Sequence, residues 1–198
     1  VGDMERLESV SWEQAKLARQ RNNTLHECWS YMLLGSHYNT RQQWDKSQEI
    51  FELWEKAIES GTGLDEFSLI VPSILKTEMH WKRGDDEKAV ELYEEIAPRL
   101  YKFSQPVWTM AHVRMVSLKF CLSQWRKASD RTQARHWEKH CKQLLRGLQA
   151  LGFLVPIARG HIAWGKALIA YEGELLAHAT GSAGLSEDAT AADVVFAE

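Results

Sequence analysis

Large apolar residues recur three and four positions apart along most of the chain. In 44–58, Trp44, Phe51, Trp54 and Ile58 share one stripe, with the small Ser47 in the remaining place. In 108–125 the stripe is Trp108, Ala111, Met115, Leu118, Leu122 and Trp125, and in 134–151 it is Ala134, Trp137, Cys141, Leu144, Leu148 and Leu151. This spacing follows the turn of an α-helix and not the two-residue alternation of a strand. Proline and glycine are sparse and β-branched runs are rare, so little interrupts the pattern. It predicts helices over roughly 4–21, 24–41, 44–60, 65–83, 86–102, 105–128, 131–151 and 156–178. Ser104 followed by Pro106 makes a helix start and Gly152 a stop, while Pro72 predicts a kink or a delayed start. Short connections make successive helices antiparallel hairpins, and the fold class is all-α.

The turns have a period of their own. Gly2-Asp3, Gln42-Gln43 and Gly84-Asp85 are separated by 40 and then 42 residues, and each precedes a helix of the same kind: "MERLESVSWEQAKLA", "WDKSQEIFELWEKAI" and "DEKAVELYEEIAPRL". Within the first full copy, Tyr31, Leu34, Gly35 and Tyr38 are followed by Ser47, Phe51 and Trp54. Gly35 lets two helices approach closely, Ser47 takes the small position at their crossing, and Tyr38 and Phe51 fill the space between. In the second copy Thr77 stands at the glycine position and His80 at the tyrosine position, while Gly84, Ala89 and Tyr93 match.

This large–small alternation resembles the tetratricopeptide repeat over residues 2–103; the remainder shares only the helix rhythm. The interval is longer than the family's usual length of about 34 residues. In that respect it is similar to the helical repeats in the regulatory arms of bacterial signalling ATPases and LuxR-type regulators. The resemblance implies hairpins stacked as a right-handed superhelix, an α-solenoid whose curved surface holds a protein or peptide partner. It would place Ser36, Asn39 and Thr40, then Glu78, Trp81 and Lys82, outward on the concave face, with Trp81 as anchor or, equally, packed under the following hairpin.

Composition adds polarity to this picture. Residues 1–100 carry 12 Lys/Arg against 19 Asp/Glu, residues 101–178 carry 12 against 4, and residues 179–198 carry 4 acids and no base. The net charge of −3 therefore conceals an acidic half, a basic half and an acidic tail, which can steer partners or reflect nothing more than unequal solvated faces. A helical repeat domain is expected over 1–178. Residues 179–198, rich in small and acidic residues, read as a linker or the start of a further repeat, with a short helix from about Glu187. Three cysteines, an odd number within apolar patterns, favour buried thiols and a cytoplasmic location over a disulfide framework. The opening "VGDMERLESV" has no basic region leading into an apolar run, so no signal peptide is expected. Its lack of an initiating Met suggests a piece of a longer chain. No apolar run approaches membrane length.

Catalytic patterns are weak. "HWEKHC" sets His136 and His140 four apart on one helical face, but Trp137 stands where a zincin helix needs Glu. The pair is read as a solvated basic face, and no metal or cofactor is expected. GxxxxGK[ST], GxSxG and CxxC are absent from the sequence, and the carboxylates of "LYEEI" and "GDDEK" fall on solvent faces or at a helix start. Enzymatic activity is not expected. Arg131, Arg135, Lys139, Lys142 and Arg146, by contrast, recur three or four apart opposite the Leu stripe and predict a cationic ridge. In the last helix, Gly160, Ala163, Ala167 and Ala170 predict close approach to the 131–151 helix, beside a second stripe of Trp164, Leu168, Tyr171 and Leu175. The reading is a protein-interaction or regulatory scaffold of a larger cytosolic signalling protein. Two alternatives stand beside it: an anion- or nucleic-acid-binding domain using the ridge, and a structural spacer.

Overall fold

The computed structural model describes residues 4–61, 64–103, 108–151, 162–171 and 173. Seven helices are defined: α1 (Met4–Gln20), α2 (Thr24–Thr40), α3 (Trp44–Ser60), α4 (Glu66–Arg83), α5 (Asp86–Lys102), α6 (Trp108–Lys127) and α7 (Arg131–Leu151). A further helical stretch covers 162–171. Among the described residues there is no strand, and no helix is long and apolar enough to cross a membrane. The chain is all-α. The ends expected for the last helix, near 156 and 178, and the tail with its short helix from Glu187 lie outside the described residues.

Helix ends follow local chemistry. Asn23, Asp65 and Asp85 accept backbone N–H groups of His26, Ser68 and Lys88 at 3.2, 2.9 and 3.4 Å, and Asp130 accepts from Thr132 and Gln133 at 2.8 and 2.9 Å. Each cap satisfies a donor that the first helical turn leaves open. Three turns pass through left-handed backbone, at Asn22 (φ 52°), Gln42 (φ 57°) and Gly84 (φ 93°). Gln42 and Gly84 thus do the same work in the two turns that the sequence period pairs. Pro72 does not delay its helix, because α4 starts six residues earlier at Glu66 and runs through it; Asp65 caps that start. Pro98 lies inside α5 in the same way.

The helices group into two compact units, Val1–Phe103 and Ser104–Glu198. The first ends where the repeat-like sequence ends. In it α1 packs on α2, α2 on α3, and α4 on α5, while α4 also packs on both α2 and α3. Its core centres on the fully buried Tyr31, Leu34, Phe51, Trp54 and Tyr93. At Gly35 a Cβ atom would stand 2.9 Å from the Phe51 ring, so glycine permits the α2–α3 contact. In the second unit α6 packs on α7, and Cys121, Cys141, Leu144 and Leu148 are buried between them. All three cysteines are free and buried.

The small-residue seam expected in the last helix is corrected. Ala163 and Ala170 are exposed, and Gly160 lies outside the described residues. The close approach is made by buried Gly165, where a Cβ would lie 2.9 Å from Leu118 of α6 and 3.3 Å from Leu145 of α7. Of the second stripe, Trp164 and Tyr171 remain 38% and 48% exposed.

Candidate partner-binding surfaces

The six residues expected on a concave face come from α2 and α4, which pack together, but they do not all face outward. Asn39 and Glu78 are buried. The Asn39 amide donates to the Leu75 carbonyl at 2.9 Å and to Glu78 Oε2 at 3.4 Å. Glu78 in turn pairs through Oε1 with Lys82 Nζ at 2.7 Å. The arrangement is a clamp between two helices, with its neutral end buried and its cationic end at the surface. An unpaired carboxylate would be costly at such a place, and the amide and ammonium offset that cost. Asn39 and Glu78 are therefore corrected from outward positions to positions in the α2–α4 seam.

The other four remain accessible to different degrees. Thr40 and Lys82 are exposed at equivalent places in the two copies, and Ser36 and Trp81 are half-buried. The Thr40 hydroxyl donates to the Ser36 carbonyl at 2.8 Å, a bond within the helix.

Two polar clusters hold α1 to α2. Tyr38 donates to Glu8 Oε1 at 2.7 Å, Trp12 Nε1 donates to the Tyr38 hydroxyl at 3.3 Å, and Lys46 Nζ lies 3.6 Å from the same Glu8 oxygen. The Tyr38 hydroxyl, aided by Lys46, holds the Glu8 carboxyl below the usual carboxylate range. Nearer the α1–α2 turn, Arg19 donates to Glu27 Oε1 at 2.9 Å and to the Tyr31 hydroxyl, and Tyr31 donates to the same carboxylate oxygen at 2.8 Å. Burial, with the Glu27 carboxylate beside it, pushes the Tyr31 phenol up to about 12. Burial pushes the Cys28 thiol up to about 11, so it is not an activated nucleophile.

On α7, Arg131, Arg135, Lys139, Lys142 and Arg146 are all exposed, as the ridge requires. Arg135, Lys139, Lys142 and Arg146, with Glu138 and Gln143, line a shallow groove of about 220 Å³. Glu138 pairs with Lys142, which reduces the local positive charge. Arg114 of α6, in the same basic stretch of sequence, is buried instead, and its guanidinium donates to the Gly147 carbonyl at 2.8 Å. Burial lowers its pKa from the ordinary value. Gly147 makes room for it, since a Cβ there would meet the guanidinium at 2.8 Å.

The histidine pair is asymmetric. His136 is exposed and His140 is buried, with ring centroids 4.6 Å apart, and His140 also lies 5.5 Å from the Trp137 ring. His140 thus belongs to the packing around Trp137 and not to a solvated face.

One surface has no counterpart in the sequence reading. Val10 and Leu17 of α1 and Trp29 of α2 are 51%, 43% and 43% exposed. The signal was present in the sequence, because Val10 and Leu17 stand one heptad apart and 40 residues before Ile50 and Ala57 of the next copy.

No protein-family model matches the chain, and no curated protein and no solved structure matches it.

Proposed function

We propose that the chain is a tetratricopeptide-like repeat scaffold that recognises a protein or peptide partner, serving as the regulatory arm of a larger cytosolic signalling protein. The observation that carries this reading is the nested packing of the first unit. Helix α2 packs on α3 and α4 on α5, while α4 rests on both members of the preceding pair. This packing supports hairpins stacked as a solenoid with a right-handed superhelical course, in which one helix of each pair lies along a continuous face. In this reading Thr40 and Lys82, exposed at equivalent positions, belong to that face together with half-buried Ser36 and Trp81. The role is recognition and not catalysis, and it needs no cofactor. A photo-crosslinking amino acid placed separately at Thr40 and at Lys82 in cells expressing the protein tests it. The expected result is the same protein partner joined at both positions. Adducts at neither position, or to different proteins at the two, contradict it.

A second reading rests on the five exposed cations of α7. They form a row able to contact phosphates of a nucleic acid or another polyanion. In that case binding to single-stranded RNA or duplex DNA falls steeply as salt rises. Arg135→Glu with Lys139→Glu abolishes it.

A further inference from the structure

Several cations of the first unit are met by carboxylates of that unit, as Arg19 is by Glu27, Lys76 by Glu55, Lys82 by Glu78 and Arg99 by Glu66. The ridge on α7 is different. Arg131, Arg135, Lys139 and Arg146 are all exposed, and among the described residues none of the four is in an ion pair. The two acids nearest in sequence are already committed: Asp130 caps the start of α7, and Glu138 pairs with Lys142. Residues 101–178 carry 12 Lys/Arg against 4 Asp/Glu, so this part of the chain is short of counter-charge. From Arg131 to Arg146 the row is about 22 Å long at the helical rise of about 1.5 Å per residue.

The same chain carries acids beyond its last basic residue. Residues 187–198, which lie outside the described residues, include Glu187, Asp188, Asp193 and Glu198 and no Lys or Arg. The last described helical stretch sets the point from which this segment is tethered. Gly165 lies against α7, where a Cβ would stand 3.3 Å from Leu145 Cδ1, and the stretch continues to Tyr171, about 9 Å further at the helical rise. From Tyr171 to Glu187 the chain can extend about 50 Å. The far end of the ridge, at Arg131, is only about 21 Å from Leu145 along α7. Every ridge cation is therefore within reach of Glu187, whichever way the last helical stretch runs. Exposed ion pairs are individually weak, but a tether that spans the sites makes their encounter intramolecular, at an effective concentration of about millimolar.

We infer that residues 187–198 dock on the α7 ridge of their own chain, with their carboxylates supplying the counter-charge that α7 lacks. The contact is an intramolecular cover, and a phosphate-bearing ligand that uses the same cations has to displace it. The inference concerns the occupant of the ridge and stands without the binding of a nucleic acid there and without the Thr40–Lys82 face.

The test is zero-length crosslinking of the full chain with a water-soluble carbodiimide, which joins a carboxylate to a lysine amine in contact with it, followed by peptide mapping. Glu138 and Lys142, already paired within α7, provide the internal control. The expected product joins Lys139 or Lys142 to Glu187, Asp188, Asp193 or Glu198. Its yield should hold across about a hundredfold dilution, because an intramolecular encounter does not depend on concentration. It should disappear in about 1 M salt, where exposed charges are screened beyond roughly 3 Å. Arg131→Glu with Arg135→Glu keeps both reporter lysines and should lower the yield about fivefold or more by reversing the local field, with circular dichroism confirming unchanged helix content. Absence of the product where the control forms overturns the inference, as does a yield that survives the charge reversal. A yield that falls with dilution overturns it in favour of a second copy, and ridge lysines joined instead to carboxylates of residues 1–103 overturn it in favour of the first unit.

Discussion

Gly35 is a residue at which α2 and α3 come close. A Cβ there stands 2.9 Å from Phe51 Cε1 and 3.7 Å from Ile50 Cγ2, and both neighbours are buried. Gly35→Leu should therefore destabilise by about 1–3 kcal/mol or more through overpacking, despite the better helix propensity of leucine. A melting temperature equal to that of the wild type would contradict the close crossing. Gln42 presents the opposite case. It is an exposed side chain held at φ 57°, where its equivalent is Gly84. Left-handed backbone costs a non-glycine residue roughly 1–2 kcal/mol, and glycine returns part of that through its unfolded-state freedom. Gln42→Gly should raise stability by about 0.5–1 kcal/mol in urea titration, and a loss of stability would contradict it. Asn22→Gly should gain less, because asparagine already tolerates this conformation.

The helices as elements were legible because their apolar stripes are long and their caps are local. Expected and observed bounds agree within a few residues from α1 to α7. What the sequence did not show was the rotation of each helix about its axis. The repeat register places Asn39 and Glu78 outward, yet α4 lies beside α2 and turns both into a seam. His140 stands one helical turn from Trp137, so its place beside that ring is local, and what the sequence hides is its burial, which only tertiary packing sets. The stripe of Gly160, Ala163, Ala167 and Ala170 predicts the close approach of the last helix, whereas among the described residues Gly165, off that stripe, makes the contact. The seam gives a prediction at this scale. Asn39→Ala leaves the buried end of Glu78 without its amide donor and should cost about 1–3 kcal/mol. Asn39→Asp should cost more, because it sets two carboxylates together. Chemical denaturation in which Asn39→Asp is the milder change would contradict the clamp.

For the molecule as a whole, buried acids set the response to alkali. The Cys28 thiol ordinarily titrates at 9.0 and the Tyr31 phenol at 10.0, and burial holds their protons to about 11 and about 12. The unfolded chain releases these protons first, so it gains on the folded chain as pH rises. The stabilisation is complete below pH 9 and is lost between 9 and 11 for Cys28 and between 10 and 12 for Tyr31. Each accounts for roughly 2–3 kcal/mol at most. Thermal melting should fall steeply above pH 9, and Cys28→Ala should soften the first part of that fall; a flat profile to pH 11 would contradict it. Glu8 acts in the acid range with the opposite sign, its contribution present above 4.5 and lost as pH falls through its lowered folded value. At this scale the repeat-like sequence and the first compact unit end together at Phe103, and the central claim is that this unit recognises a protein. The most direct measurement is a titration of the partner crosslinked through Thr40, once purified, into the wild type, a Thr40→Glu, Lys82→Glu variant and an Arg135→Glu, Lys139→Glu variant. The account predicts that the first variant loses about tenfold in affinity or more while the ridge variant stays within about twofold of wild type. Loss confined to the ridge variant would contradict it.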